Sequence, residues 1–472
     1  MSVDTAPAPD ASTSIDPELK RLATAIVVGA IAVILDTTIV SVGLHELGTA
    51  LHASVATIQW VSTAYLLAMF VTIPLSGWAQ GRLGSKRLWI VGLSVFLLGS
   101  LLCAVAWDPT SLVAFRAVQG VGGGVLMPLM TTILMQAARG RNLGRLMATV
   151  SLPIALGPIL GPVVGGVILH QLSWPWLFLI NLPLGVLGLV LAVRLIPADG
   201  PGRRVPLDVV GVLLVTPGIV GVIFGLTQVG HLGGFGHAQV LVPLLAGAAL
   251  LAGFVWWGLR QGERALIDIR LLRHRALGTS TALLFLTGVA LYGAMLLLPL
   301  YWQQVRGEDA LGAGLLLVPQ GIGALASRTL SGRLTDTFGG RWVAVGGFAL
   351  LAAATVPFAL STEQTSTWLL MATLLVRGFG LGAVIIPLMT GAFVGLEHDE
   401  VPHASIMTRV AQQVGGSFGT AVLAVILVSA AAGATSLPAL AGAFDTAFWW
   451  ATGFTVAAAV LSLLLPPRRA VA

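Results

Sequence analysis

The sequence predicts an all-α polytopic membrane protein, on three observations. Only 9% of the 472 residues are charged and 56% are apolar, where a soluble domain carries roughly 25% charged residues. The apolar residues fall into runs long enough to cross a bilayer, which takes ~20 residues of helix. The basic residues collect in alternate short loops, the bias that marks a cytoplasmic side. The net charge of +6 therefore points to a lipid bilayer as partner and not to nucleic acid.

Fourteen runs are long enough to span, near 22–47, 57–80, 88–107, 111–137, 143–169, 174–196, 207–229, 238–260, 276–303, 311–331, 341–361, 367–393, 404–431 and 444–466. One set of connecting loops carries Arg82, Lys86 and Arg87, then Arg139, Arg141 and Arg145, then Arg203 and Arg204, and later Arg264, Arg270, Arg273, Arg275, Arg333 and Arg341. The opposite set holds Arg306 beside Asp108, Glu308, Asp309, Glu363 and Asp445. Both termini are thus expected in the cytoplasm. Residues 1–21 are polar and Pro/Ala/Ser-rich and lack the pattern of a cleaved signal, so they read as a disordered cytoplasmic tail, with 467–472 a short second one. The connector 261–275 alternates charged and apolar residues; it reads as an amphipathic helix on the cytoplasmic face or as a solvated linker. The one cysteine, Cys103, excludes an internal disulfide and any Cys-x-x-Cys metal site. The Gly- and Ala-rich, Arg-over-Lys composition is that of a GC-rich bacterial chain, and the expected location is the inner membrane.

Asp36 is the carboxylate that this pattern places deep inside an apolar run. A charge there costs ~2.5–3.5 kcal/mol on insertion scales, so the residue reads as a proton or cation site. The alternative is a carboxylate simply satisfied by a neighbouring helix. An internal repeat divides the spans into two halves. Gly77-Trp-Ala-Gln-Gly-Arg82-Leu-Gly84, ending at Arg87, recurs 332 − 77 = 255 residues later as Gly332-Arg-Leu-Thr-Asp336-Thr-Phe-Gly339, ending at Arg341. Both read as cytoplasmic turns. The organisation is then 22–196, two inserted spans in 207–260, and 276–466, and repeat-built transporters place their substrate near the midplane between such halves.

Five motifs in order resemble the major facilitator superfamily, and within it the fourteen-span drug:proton antiporter branch (QacA-like). They are Leu35-Asp-Thr-Thr-Ile-Val-Ser-Val-Gly-Leu44, Gln59-Trp-Val-Ser-Thr-Ala-Tyr65, Arg116-Ala-Val-Gln-Gly-Val-Gly122, Gly157-Pro-Ile-Leu-Gly-Pro-Val-Val-Gly-Gly166 and Trp174-Pro-Trp-Leu-Phe-Leu-Ile-Asn-Leu-Pro-Leu-Gly185. The resemblance runs from Leu22 onward and implies a major facilitator fold of two six-helix halves plus two inserted central helices. It also implies that the first and fourth spans are adjacent. Two departures stand out: Gly81 replaces the aspartate usual in the first loop motif, and Ser41 and His45 stand where the first-span signature usually has Asn and Pro.

With that adjacency, Asp36 lies ~21 Å along its helix and Arg116 ~6–9 Å below the opposite edge, so the two side chains meet at one depth of a ~30 Å core. Burial and the guanidinium act on the carboxyl in opposite directions, which suits a proton-coupling pair. The alternative for Arg116 is capping of backbone carbonyls. Gly157, Pro158, Gly161, Pro162, Gly165 and Gly166 form a ridge of small residues that permits close helix approach; the resemblance makes it the antiporter motif. Gly77, Arg82, Gly84, Arg87, Gly332, Asp336, Gly339 and Arg341 form the loop-gating motif. Gln59, Trp60, Tyr65, Gln119, Tyr292, Gln320, Arg409, Gln412 and Gln413 are candidates for a cavity wall, with helix–helix hydrogen bonding or an interfacial belt as the alternative for each. Tyr301 is a further aromatic position of this kind. Arg328 and Arg377 read as structural or gating charges, and Asp208 as a helix N-terminal carboxylate.

The eight histidines lack ligand spacing, there is no phosphate-cradling GxxxxGK[ST] for ATP, and no Ser/His/Asp set shares a face. No enzymatic activity, metal or cofactor is expected; a proton gradient supplies the energy. The expected function is proton-coupled export of small amphipathic organic compounds, neutral, zwitterionic or monovalent. The alternatives are a dedicated exporter of one endogenous metabolite or lipid and a non-transporting membrane sensor.

Overall fold

The computed structural model describes residues 16–53, 55–138, 161, 164–198, 206–232, 234–262, 265–308, 310–362 and 364–467. Every regular element among them is helical. The first half comprises α1 (Pro17–Ala50), α2 (Val55–Thr72), α3 (Leu75–Leu83), α4 (Ser85–Ala104), α5 (Pro109–Ala138), α6 (164–171), α7 (Trp176–Leu179) and α8 (Asn181–Leu195). The hairpin α9 (Val209–Leu232) and α10 (Ala238–Gln261) follows. The second half is α11 (Arg275–Gln304), α12 (Ala310–Leu316), α13 (Val318–Phe338), α14 (Gly340–Ala359), α15 (Thr367–Ala392), α16 (Val401–Ala431) and α17 (Leu437–Ser462).

Eleven of the described helices are long and apolar enough to cross a membrane, or twelve with α2 and α3 taken as one span bent by 57°. Two of the fourteen expected runs are not among these. The fifth, 143–169, lies mostly outside the described residues. The tenth, α13, carries Gln320, Arg328, Arg333 and Asp336 within 21 residues, which makes it too polar to count.

Helix ends depart from the sequence expectation where caps act before apolar runs begin. Residues 17–21, expected in the tail, instead open α1, because the Asp16 carboxylate accepts from the Glu18 N–H at 3.0 Å and Pro17 follows. Such an Asp-Pro start satisfies a free donor and presets φ. Ser436 and Pro438 likewise start α17 seven residues early. Asp445, expected in an external loop, therefore lies two turns inside that helix. The connector 261–275 is not an amphipathic helix: among its described residues only Ile269–Arg273 forms a short 3-10 turn. Arg270 Nη2 folds back onto the Leu259 carbonyl at 2.7 Å, and Leu266, Ile267 and Leu271 bury into the core.

The repeat motifs are not turns throughout. Residues 77–83 and 332–338 are helical, and only Gly84 (φ 84) and Gly339 (φ 86) turn the chain. Both φ values lie in the left-handed region that glycine adopts without a Cβ penalty. Symmetry extends further, since α5 packs on α2 and α4 as α15 packs on α13 and α14.

The two halves join at the end that carries these glycine turns. One core cluster there mixes Leu22, Ile73, Met130 and Ile133 with Ile386, Phe393, Val401 and Ile406. Thr132 Oγ1 donates to Ser405 Oγ at 3.0 Å, and Gln136 Nε2 to the His398 carbonyl at 2.9 Å. At the opposite end each half has its own cluster, around Ile39, Cys103 and Phe178 in one and Leu297, Tyr301 and Phe444 in the other. The hairpin touches both halves, α9 packing on α2 and on α16.

Candidate functional site

The site is built by α1, α4, α5 and α8 around Asp36. Helix α5 begins where the Asp108 carboxylate accepts from the Ser111 N–H at 2.6 Å, with Pro109 as its first residue. That backbone bond holds the Asp108 carboxyl below the usual carboxylate range. Two turns on, α5 presents Arg116 and Gln119 inward. It approaches closely because Gly120 lies against the Tyr65 carbonyl, where a Cβ would have no room.

Arg116 Nη1 donates to Asp36 Oδ2 at 2.6 Å, with both side chains at most 1% exposed. The other carboxylate oxygen, Oδ1, accepts from Gln119 Nε2 at 2.8 Å and from Asn181 Nδ2 at 2.9 Å. Arg116 also donates from Nη1 to Gln119 Oε1 at 2.6 Å and from Nε to the Val61 carbonyl at 3.2 Å. Its guanidinium lies 4.2 Å above the Tyr65 ring, a cation–π contact. Ser100 Oγ collects Nε2 of Gln119 and Nδ2 of Asn181 at 3.2 and 3.0 Å, and donates to the Phe178 carbonyl at 2.9 Å. Thr37 and Thr38 do not compete for Asp36 here, since their hydroxyls donate to the Ile34 and Leu35 carbonyls of their own helix. A buried ion pair offsets its desolvation only when its other hydrogen-bonding positions are also engaged, and here Asp36 Oδ1 and Arg116 Nε and Nη1 have further partners.

Sequence reasoning finds Asp36 and Arg116 but misses Asn181 and Ser100, and it assigns to a cavity wall Gln119, which is a fully buried bridge. Asn181 carries a signal. It is one of two asparagines in the chain and the one inside an apolar run. Tyr65 is also buried, at 1% exposure, beneath Arg116.

Of the small-residue ridge, Gly161 packs against Thr38 and Gly165 lies where a Cβ would be 3.3 Å from the Ile39 carbonyl. Both contacts fall within one turn of Asp36. Gly166 faces open space, and Gly157, Pro158 and Pro162 lie outside the described residues. In the loop motif, Gly77 packs against Ile406 of α16, Arg82 sits 5.8 Å from the Trp78 ring, and Arg87 stands at the start of α4. Gly332 is buried within α13, and Arg341 Nε donates to the Leu465 carbonyl just past the end of α17, 2.6 Å away. The side chains of Asp336 and Gln59 lie outside the described residues. Trp60 is 46% exposed and stacks on Phe224 of the hairpin.

In the second half Arg409 Nη1 reaches Gln412 Oε1 within α16 at 3.4 Å, and Tyr292 OH of α11 reaches Gln413 Oε1 at 3.4 Å. Arg377 is the buried arginine of α15, the helix that packs as α5 does, but neutral groups hold it: Gln320 Oε1 at 2.8 Å, the Ala290 carbonyl at 3.1 Å and Thr355 Oγ1 at 3.3 Å. The Asp208 carboxylate caps α9 at the Gly211 N–H (2.8 Å) and binds Trp257 Nε1 (2.9 Å) and the Leu266 N–H (3.0 Å).

Arg328 is 4% exposed, and its Nε and Nη1 have no hydrogen-bond partner. The repeat offset of 255 places it at 328 − 255 = 73, where the first half has the buried Ile73. Helix packing at that position does not require a cation. Arg328→Ile is expected to stabilise the folded protein by about 1–3 kcal/mol, since it removes donors buried without partners. Thermal unfolding in detergent reads this as a raised Tm, and a lowered Tm contradicts it.

A sequence profile of the Major Facilitator Superfamily matches residues 26–420. The chain is 37% identical over 415 residues to the "Multidrug resistance protein B homolog" of Mycobacterium tuberculosis, covering 88% of this chain and 77% of that one. It is 30% identical over 392 residues to the "Lincomycin resistance protein LmrB" of Listeria monocytogenes, covering 83% and 82%. Among solved structures, its fold is similar to that of the human organic anion transporter MFSD10 (TM-score 0.65, 17% identity, 95% of this chain and 100% of that one). It is also similar to a double-tryptophan mutant of XylE (TM-score 0.68, 15% identity, 96% of each).

Proposed function

The chain belongs to the Major Facilitator Superfamily, and on that premise we propose that it is a proton-coupled antiporter exporting small amphipathic organic compounds by alternating access. The observation that carries this reading is the buried Asp36–Arg116 pair at 2.6 Å, set at the seam where α1, α4, α5 and α8 meet. Relatives named for multidrug and lincomycin resistance support export of drugs or antibiotics. The reading includes the fourteen-span, QacA-like arrangement, an inner-membrane location, and cytoplasmic termini on the side of the Gly84 and Gly339 turns. With that orientation the present conformation is closed to the cytoplasm.

The mechanism follows from the charges. With Asp36 ionised, the guanidinium ties α5 to α1 while Asn181 ties α8 to the same carboxylate. A proton on Asp36 removes the charge that Arg116 balances and weakens the tie. The ridge at Gly161 and Gly165, packed within a turn of Asp36, passes the change to the helix surface that slides. A ligand shifts such an equilibrium only by its differential affinity for the two states. The proton does so because Asp36 has no exposed surface here and must be reached in another conformation. With one acid built into this half-site, neutral, zwitterionic or monovalent substrates fit the charge balance.

Growth of an efflux-deficient bacterial host against a broad panel of toxic compounds tests the function. Protection against several unrelated compounds, relative to an empty vector, is the expected result. Protection against a single class would replace the multidrug reading with a dedicated exporter, and none against any class would contradict export.

A further inference from the structure

We propose that Asn181 is the group that receives the proton's hydrogen bond when Asp36 is protonated, by turning its side-chain amide. The inference rests on the proton-coupling reading above and adds a positioning residue to it. An ionised carboxylate only accepts, so both amides at Oδ1 must present their NH2 groups. Gln119 Nε2 and Asn181 Nδ2 do so. A proton added to Oδ1 makes it a neutral acid whose new O–H points at two donors, and one amide must turn its oxygen inward.

Gln119 is not free to turn. Its Oε1 is held by Arg116 Nη1 at 2.6 Å and faces Cys103 Sγ at 3.8 Å. Asn181 Oδ1, in contrast, is buried with no hydrogen-bond partner. An idle acceptor of this kind costs free energy in the ionised state. In the protonated state it fills the one need the site cannot otherwise meet. The other carboxylate oxygen, Oδ2, faces the guanidinium and is the poorer place for a proton. The titratable groups near Asp36 among the described residues are Arg116 from α5, Tyr65 from α2 and Cys103 from α4, with Arg409 of α16 within electrostatic reach of Tyr65. Helix α7 contributes none, and α8 only Arg194 near its far end. Of the two amides at Asp36 Oδ1, Asn181 is the one whose acceptor is unused.

Infrared difference spectroscopy, acid minus base, on the full chain in lipid tests this without a substrate. Asparagine labelled with carbon-13 at the side-chain carbonyl reports on two residues only, Asn142 and Asn181. The expected result is a carboxylic-acid band that Asp36→Asn abolishes, and a labelled asparagine carbonyl that shifts with the same pH midpoint and is silent in Asp36→Asn. Asn181→Leu removes both the amide that donates to the carboxylate and the acceptor for the acid, so the shifting carbonyl signal disappears with it while the Asp36 acid band remains. Asn181→Ala removes the same groups if the leucine variant does not accumulate. A silent label, or a labelled carbonyl shift that persists in both variants, overturns the role of Asn181 and leaves Asp36 as the proton carrier. Absence of any acid band lost in Asp36→Asn overturns the coupling reading and this inference with it.

Discussion

Asp36→Asn is expected to abolish uphill export while the protein still folds. The asparagine keeps an oxygen to accept from Gln119 and Asn181. Arg116 keeps the Val61 carbonyl, Gln119 Oε1 and the Tyr65 face, so the helices still close around it. What is lost is the counter-charge, and with it the ability to exist in two charge states; the guanidinium is left on neutral oxygens, as Arg377 is in the second half. One proton crossing ~100 mV releases ~2.3 kcal/mol, enough to sustain roughly a fiftyfold substrate gradient at 1.4 kcal/mol per tenfold. In the variant that ratio should fall to about one, leaving only exchange or downhill movement.

The second large effect is structural. Arg116→Ala leaves the Asp36 carboxylate buried without its counter-ion, and the Gln119 and Val61 oxygens without their donor. Removing one partner of a buried pair costs about 3–5 kcal/mol, a large share of the ~5–15 kcal/mol that holds a domain together. Membrane yield and thermal unfolding should both drop sharply. Arg116→Lys should recover little, because one ammonium does not reproduce the guanidinium fork that reaches Asp36 and Val61 at once. Adding Asp36→Asn to Arg116→Ala should restore part of the stability and none of the uphill transport. Strictly additive losses in this double-mutant cycle would mean the two residues do not act as a pair.

Much of this site is legible in the amino-acid sequence, for a physical reason. A bilayer makes charge expensive, so a carboxylate in an apolar run and an arginine at matching depth are visible as exceptions. The same logic misplaces Asp445, because the Ser436–Pro438 cap starts α17 before the apolar run does. It also reads the repeat motifs as turns, because hydropathy does not separate a polar helix extension from a loop. Only the positive φ of Gly84 and Gly339 marks where the chain reverses. Gln119, Ser100 and Asn181 sit on three different helices, and the two amides converge on one carboxylate while Ser100 accepts from both. No local pattern encodes that convergence, though a lone asparagine inside an apolar span is a fair hint. Aromatics suit ligands, which points Tyr65 to a cavity wall, yet it serves as the floor beneath a guanidinium.

The halves treat their arginines differently. The first half balances Arg116 with an acid, whereas the second surrounds Arg377 with neutral oxygens. Protonation therefore has one described place to act on a buried ion pair, and the asymmetry fits a switch confined to the first half.

The most direct measurement uses proteoliposomes of the purified chain with an imposed proton gradient, loaded with a compound that the growth panel identifies. Substrate accumulation against its gradient and the accompanying proton movement are followed together. The account predicts that wild type shows both and Asp36→Asn shows neither at equal protein density. Uphill accumulation by Asp36→Asn at the wild-type level would contradict it.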